Sequence, residues 1–176
     1  GGDALGYHFL PDGRLAIYVL DVCGHGVAPA LLSVAALTTL RSVRLPGVDF
    51  SNPVSVLSGL NRAFPSSSHN GMFFTAWYGV LDLGTHQLHY AGAGHPPALW
   101  IHKNTIEELE TSGPMLGVVD DCPWVDYKTQ LSSGGHLFIH SDGAYEISDK
   151  KGNVLRYEDF LAEIKIGCAS GDLISH

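Results

Sequence analysis

Cysteine and basic side chains are scarce in this chain of 176 residues. The three cysteines, Cys23, Cys122 and Cys168, are too few and too far apart for a disulfide framework or a four-thiolate metal site, so we expect a reducing, cytoplasmic environment. Ten Lys and Arg against eighteen Asp and Glu give a net charge of -8, which disfavours nucleic acid and anionic membrane surfaces as partners. No apolar run approaches the roughly 20 residues that cross a bilayer.

The residues that are abundant indicate one folded domain rich in strands and turns. Hydrophobic residues make up 45% of the chain and charged residues 16%, which excludes the composition of a disordered protein. A length of 176 residues suits a single domain. The 21 Gly and 9 Pro indicate many tight turns and argue against a plain helical bundle.

Hydrophobic periodicity predicts an α+β fold. Strands are predicted at 14–21, 72–82, 87–92, 97–102, 124–131 and 136–142, and helices at 27–43, 52–65, 158–166 and from 171 onward. The segment 72–82 is apolar on both alternating faces, which is typical of a strand covered on both sides. The helix at 27–43 carries apolar residues at helical spacing, namely Val27, Ala30, Leu31, Val34 and Leu37. We therefore expect two packed sheets with outer helices.

Three aspartates form the first candidate site. Asp21 and Asp142 each follow a predicted strand and lie beside glycine, and Asp3 follows two glycines. Hard divalent cations such as Mg²⁺ and Mn²⁺ prefer carboxylate and carbonyl oxygens, so these residues could hold such an ion. Each aspartate taken singly also has the more common role of forming a turn.

Histidine is the alternative ligand, and covalent catalysis is the alternative chemistry. His25 and His95 lie in glycine-flanked segments, but no histidine pair has the i, i+4 spacing around a Glu that zinc enzymes use, and a single loop histidine is usually structural. Cys23 is followed six residues later by Pro29, where a phosphatase loop with a cysteine nucleophile needs Arg. The sequence also lacks Gly-x-Ser-x-Gly and Gly-x-x-x-x-Gly-Lys.

Five segments, read in order, resemble the bacterial SpoIIE/RsbU-type serine phosphatases of the metal-dependent, protein phosphatase 2C-like (PPM) superfamily. They are Gly-Gly-Asp at 1–3, Asp-Val-Cys-Gly-His-Gly at 21–26, Phe-Phe-Thr-Ala at 73–76, Ala-Gly-Ala-Gly-His-Pro-Pro-Ala-Leu at 91–99 and Ser-Asp-Gly-Ala-Tyr-Glu at 141–146. The resemblance spans essentially the whole chain, and five blocks in the right order are far more specific than any one of them.

The resemblance implies a four-layer αββα sandwich of two antiparallel sheets flanked by helices, with two Mn²⁺ or Mg²⁺ ions at one end. It implies that Asp21 bridges the ions, that the Val22 carbonyl adds an oxygen, and that Asp3 and Asp142 each support one ion. Asp21 and Asp142 would then be the catalytic residues, and the ions would activate a water molecule for attack on phosphorus. The Gly-His-Pro-Pro turn around His95 is expected to shape the sheet edge.

The resemblance also implies a substrate and a setting. The substrate would be phosphoserine or phosphothreonine on a bacterial regulatory protein, such as a phosphorylated anti-sigma-factor antagonist. An N-terminal receiver or sensory domain would precede the phosphatase domain in the parent protein, and a homodimer is left open. The alternative is a catalytically degenerate adaptor that binds a sigma-regulatory partner without hydrolysis.

The chain departs from the family pattern at two places. Many members carry a second Asp where this chain has Gly6, and a further acidic pair near the C-terminus, where Asp172 is the only late Asp. We therefore expect residues 1–176 to be a single PPM-type domain, truncated at its C-terminus and excised from a larger regulatory protein, with weak or absent activity. The other interpretation is a domain that has lost a ligand. Cys23 is expected to be a buried, inert thiol.

Overall fold

The structure is a computed structural model that describes residues 2–103, 105–146 and 155–170. Gly1, Asp172, the helix expected from residue 171 and the side chain of Cys168 lie outside the described residues. Within the described part, no helix is long and apolar enough to span a bilayer.

The described residues form two antiparallel sheets and three α-helices. The strands are β1 Ala4–Phe9, β2 Leu15–Val22, β3 Phe74–Leu81, β4 Gln87–Ala93, β5 Ala98–His102, β6 Thr105–Leu109, β7 Tyr127–Gln130 and β8 His136–Phe138. The helices are α1 Val27–Arg41, α2 Pro53–Ala63 and α3 Tyr157–Ser170. One sheet has the order β1-β2-β3-β4-β7 and the other β6-β5-β8, with antiparallel neighbours throughout.

Three hydrophobic clusters stack these elements into four layers. On one face of the five-stranded sheet, Tyr18 and Tyr78 are buried with Leu57 of α2. On its other face, Trp77 packs with Ala98 of the smaller sheet. The outer face of the smaller sheet is covered by α3, and this third cluster consists of Leu99, Ile101, Phe160 and Ile164. The order is therefore helix, sheet, sheet, helix, as the αββα expectation requires.

The start of α2 follows from local chemistry. The Asn52 side chain accepts a hydrogen bond from the Ser55 backbone N–H at 3.0 Å, and Pro53 occupies the first helical position. Both are favoured at a helix N-terminus, because the side-chain oxygen satisfies a free N–H and proline has none to satisfy. The predicted start is confirmed, and the helix ends at Ala63, two residues before the predicted end.

The helix predicted at 27–43 is present, but the predicted apolar stripe faces solvent. Val27, Leu31 and Val34 are 76%, 65% and 58% exposed. The side that packs on the sheet instead carries Leu32 and Leu40, with Pro29, Ser33 and Ala36 also buried. Because α1 is apolar on most of its circumference, periodicity alone did not identify the packed face.

Several strand predictions need correction. The strand predicted at 136–142 ends at Phe138, and Asp142 instead opens a 3₁₀ turn, Asp142–Ala144. The strand predicted at 14–21 runs one residue later, so that Asp21 lies inside β2. β1 and β6 were not predicted: the outward residues of β1 are apolar, and β6 contains two glutamates, so neither shows the usual alternation.

Candidate metal centre

The three predicted aspartates meet at one end of the five-stranded sheet. Asp3 directly precedes β1 and Asp21 lies near the end of β2, and these strands pair antiparallel with Ala4 opposite Leu20. Asp142 reaches the same place from the turn that follows β8. The Asp21 carboxyl lies close enough to Asp3 and Asp142 for both of these side chains to act on its charge.

The charges of these side chains act on one another. Burial, together with the neighbouring Asp3 and Asp142 carboxylates, raises the pKa of Asp21 to about 7. The pKa of Asp3 is lowered, chiefly because the Ser141 hydroxyl donates a 2.7 Å hydrogen bond to its Oδ2. The cluster therefore concentrates negative charge that a cation would stabilise.

The aspartates line an open cleft of about 460 Å³. Its described lining residues include no Lys or Arg; they are Gly2, Asp3, Asp21, Val22, Cys23, Gly24, Asp142 and Gly143. Gly2 lies directly against Val22, because a Cβ at residue 2 would be 2.5 Å from the Val22 carbonyl oxygen. Glycine at this position lets the Asp3 backbone approach β2 closely.

The donor chemistry suits a hard divalent cation. Three carboxylates and the neighbouring Val22 backbone supply oxygen only, which is the ligand type that Mg²⁺ and Mn²⁺ prefer, usually with several waters retained. Within the described residues, no group of three or more Asp, Glu, His or Cys side chains already surrounds a single ion position. The three aspartates line the same cleft, so binding an ion requires their side chains to turn toward it.

The rival histidines lie elsewhere. His25 is exposed and is not among the residues that line the cleft. His95 is buried behind the cleft: its Nδ1 lies 2.8 Å from Thr75 Oγ1 and its Nε2 lies 2.9 Å from the His140 carbonyl oxygen. Both ring nitrogens are therefore occupied by protein atoms.

Cys23 departs from the expectation of full burial. It is half-buried and lines the cleft beside the aspartates. Burial raises the pKa of its thiol, and the Asp21 and Asp142 charges raise it in the same direction. A thiol held in its protonated form is a weak nucleophile, which agrees with the expected inertness.

Two contacts in the site were not predicted from the sequence. Ser141 orients Asp3, and Thr75 holds His95. The available signal was their place inside the segments 141–146 and 73–76, next to residues already singled out. Periodicity gives no indication of such contacts, because the partners are 138 and 20 positions apart.

A family model described as Stage II sporulation protein E (SpoIIE) matches residues 11–173. The chain belongs to the SpoIIE family. This SpoIIE-family chain is also 31% identical over 149 residues to the phosphoserine phosphatase RsbU of Bacillus subtilis strain 168, an alignment that covers 83% of the chain and 44% of RsbU. It is 29% identical over 150 residues to the phosphoserine phosphatase RsbP of the same organism, covering 82% of the chain and 36% of RsbP. The chain thus spans less than half the length of either relative.

Solved structures agree on the fold of the SpoIIE-family chain. The RsbU and RsbW domains of Rv1364c from Mycobacterium tuberculosis match with a TM-score of 0.78 and 27% identity, over 96% of this chain and 45% of that one. The SiaA-PP2C domain of Pseudomonas aeruginosa matches with a TM-score of 0.80 and 21% identity, over 98% of this chain and 72% of that one. The four-layer sandwich is therefore a PP2C-like fold.

Proposed function

We propose that this SpoIIE-family chain is a metal-dependent phosphatase that hydrolyses phosphoserine or phosphothreonine in a bacterial regulatory protein. The observation that carries the proposal is the convergence of Asp3, Asp21 and Asp142 in an open cleft. RsbU and RsbP, which are named phosphoserine phosphatases, support the reaction class. Within the proposal, Asp21 and Asp142 are the catalytic residues.

The cleft residues would hold Mn²⁺ or Mg²⁺. Asp21, on which both other carboxylates act, would hold the ions together with Asp3, Asp142 and the Val22 carbonyl oxygen. When bound, such ions neutralise the phosphoryl oxygens and make a water molecule nucleophilic at neutral pH.

The chain's own residues prepare the cleft for this substrate. The Ser141 hydroxyl donates to Asp3 Oδ2 and so orients this carboxylate. Gly24 and Gly143 add no side chains to the cleft lining, which leaves room for a phosphorylated segment. Since the described lining lacks basic residues, the phosphate dianion is repelled unless cations are present, which makes binding and metal loading interdependent.

A phosphorylated anti-sigma-factor antagonist is the substrate class we propose. RsbU and RsbP support this substrate class only through family membership. The solved Rv1364c structure supports it because that structure contains RsbU and RsbW domains together. We further propose that a receiver or sensory domain regulates this chain in its parent protein, since the matched relatives are more than twice as long as their aligned parts.

Phosphate release from a phosphoserine-containing antagonist protein tests the proposal. In the full-length parent protein we expect turnover with Mn²⁺, none with EDTA, and at least about a 100-fold loss in Asp21→Asn and Asp142→Asn, because each removes a charged ligand. Residues 1–176 alone should release phosphate weakly or not at all. Asp120→Asn, at an exposed residue away from the cleft, is the matched control and should retain full activity. Turnover that survives EDTA or Asp21→Asn would contradict the proposal.

The adaptor role is the second candidate. It is favoured by Gly6, where many family members carry an Asp, and by the absence of a ready three-ligand cluster in the described part of the chain. The same assay separates the two functions: an adaptor would bind the phosphorylated antagonist in a pull-down but release no phosphate at any Mn²⁺ concentration.

A further inference from the structure

A buried histidine lies between the two halves of the candidate site. The His95 side chain follows Gly94, whose φ of +64° turns the chain inward and whose N–H donates to the Gly113 carbonyl at 3.0 Å. Only 7% of His95 is exposed. Its Nδ1 contacts Thr75 on β3, and its Nε2 contacts the His140 carbonyl in the segment that leads from β8 to Asp142.

These contacts define the position of the ring proton. A carbonyl oxygen can only accept a hydrogen bond. Nε2 therefore carries the ring proton and donates a hydrogen bond to the His140 carbonyl. Nδ1 is then an acceptor, and the Thr75 hydroxyl donates to it. Burial lowers the pKa of His95 to about 4, so the ring is neutral at physiological pH and has this single N–H.

The two partners of His95 lead to different aspartates. Thr75 lies directly opposite Asp21 in the register of β2 and β3. The His140 carbonyl is two residues before Asp142, and the intervening Ser141 donates to Asp3. His95 is therefore a short connection between the strand pair that carries Asp21 and the segment that contacts or carries the other two aspartates.

We propose that His95 is a positioning residue that holds the Asp142 segment at the correct distance from Asp21 through its Nε2 hydrogen bond to the His140 carbonyl. Its chemical consequence, tighter Mn²⁺ binding, rests on the proposed function. The hydrogen bond itself does not depend on the proposed function.

Aromatic packing offers a competing explanation for the order of this segment. The His140 ring lies against Phe160, Phe138 and Tyr145, with centroid distances of 5.0, 5.8 and 5.9 Å. This packing holds the ring of His140, whereas His95 holds its carbonyl and thus the direction of the following backbone. Substituting His95 alone separates the two contributions.

Two matched variants isolate the decisive contact. The Gln side chain places an amide N–H near the position of Nε2, so His95→Gln can still donate to His140. Asn ends near the position of Nδ1, so His95→Asn can still contact Thr75 but does not reach His140. Both variants remove the ring, and they differ in the link to the Asp142 segment.

Mn²⁺ binding is measured by calorimetric titration of the metal-free protein, and backbone exchange at 139–146 by hydrogen–deuterium exchange in EDTA. We expect His95→Asn to bind Mn²⁺ about tenfold more weakly and to exchange faster at 139–146, whereas His95→Gln stays within about twofold of the wild type. Normal affinity and normal exchange in folded His95→Asn would overturn the proposal. Equal losses in both variants would also overturn it, because the contact to His140 would then not be decisive.

If His95→Asn does not fold, the Thr75→Val variant tests the same proposal. It removes the hydroxyl that orients the ring and preserves the shape of the strand residue, so we expect about a threefold loss of Mn²⁺ affinity and faster exchange at 139–146. Unchanged values would overturn the proposal. If wild-type protein binds no Mn²⁺, the proposed function fails, and the exchange difference between His95→Asn and His95→Gln still decides the role of His95.

Discussion

At the scale of one residue, the packing around Gly6 explains why the chain has no carboxylate ligand at this position. Many members of this family have an Asp at this position. Gly6, however, faces the helix-covered side of the sheet, and a Cβ here would lie 2.5 Å from Cε2 of Tyr18. Tyr18 is fully buried and stacks on Tyr78 with ring centroids 5.9 Å apart. A carboxylate at residue 6 would therefore need the packing beneath it to change.

Gly6→Asp is accordingly expected to destabilise the fold without improving metal binding. Steric overlap and an unpaired buried carboxylate together should lower the free energy of unfolding by at least about 2 kcal/mol. Urea denaturation in EDTA measures this change. Leu5→Asp, on the exposed face of the same strand, is the control and should cost far less. Tighter Mn²⁺ binding by a stable Gly6→Asp protein would show that our account of this position is wrong.

At the scale of secondary-structure elements, local interactions explain where α2 begins, but they do not explain where α1 begins. The Asn52 side chain caps α2, whereas α1 begins after Gly26 without a side-chain cap. The stability of α1 therefore depends on burial of Leu32 and Leu40 against the sheet. Helix α2 combines tertiary packing with a cap that can be tested alone.

Asn52→Ala should lower the free energy of unfolding by about 1 kcal/mol, because the Ser55 N–H loses its acceptor. Asn52→Asp keeps an acceptor at the same place and should remain close to the wild type. Chemical denaturation of the three proteins under identical conditions provides the comparison. An Asn52→Asp protein as unstable as Asn52→Ala would rule out the cap as the cause.

At the scale of the whole molecule, buried histidines make the fold sensitive to acid. Burial lowers the pKa of His95 to about 4 and also lowers the pKa values of His8 and His140. An unfolded histidine takes up a proton near pH 6.5, which the buried side chain resists. The contribution of His95 to stability is therefore complete above about pH 6.5 and is lost as the pH falls toward 4, and the contributions of His8 and His140 also decline on acidification.

The contribution of His95 to this pH dependence can be measured by comparing the wild type with His95→Gln. The free energy of unfolding in EDTA should fall between pH 6.5 and 4 more steeply in wild type than in His95→Gln, by up to about 3 kcal/mol. The difference is needed because the raised pKa of Asp21 makes the opposite contribution over this range in both proteins. Parallel pH profiles would mean that His95 is not held neutral by burial.

Much of the architecture can be predicted from the sequence. The apolar residues on both faces of 72–82 predicted the central strand β3, and Asn52 with Pro53 predicted the start of α2. The edge strands β1 and β6 were not accessible in this way, because a strand exposed on one side with atypical alternation is stabilised by pairing with a partner distant in the sequence.

The sequence by itself determined the oxygen donors at Asp3, Asp21 and Asp142, the net charge of -8, and the ordered segments that resemble one enzyme family. Only the tertiary structure decided that these aspartates meet, that Ser141 orients Asp3, and that His95 is buried between the two halves of the site. The reason is that such contacts follow from strand register and layer packing between distant segments, whereas residue type and periodicity report only local preference.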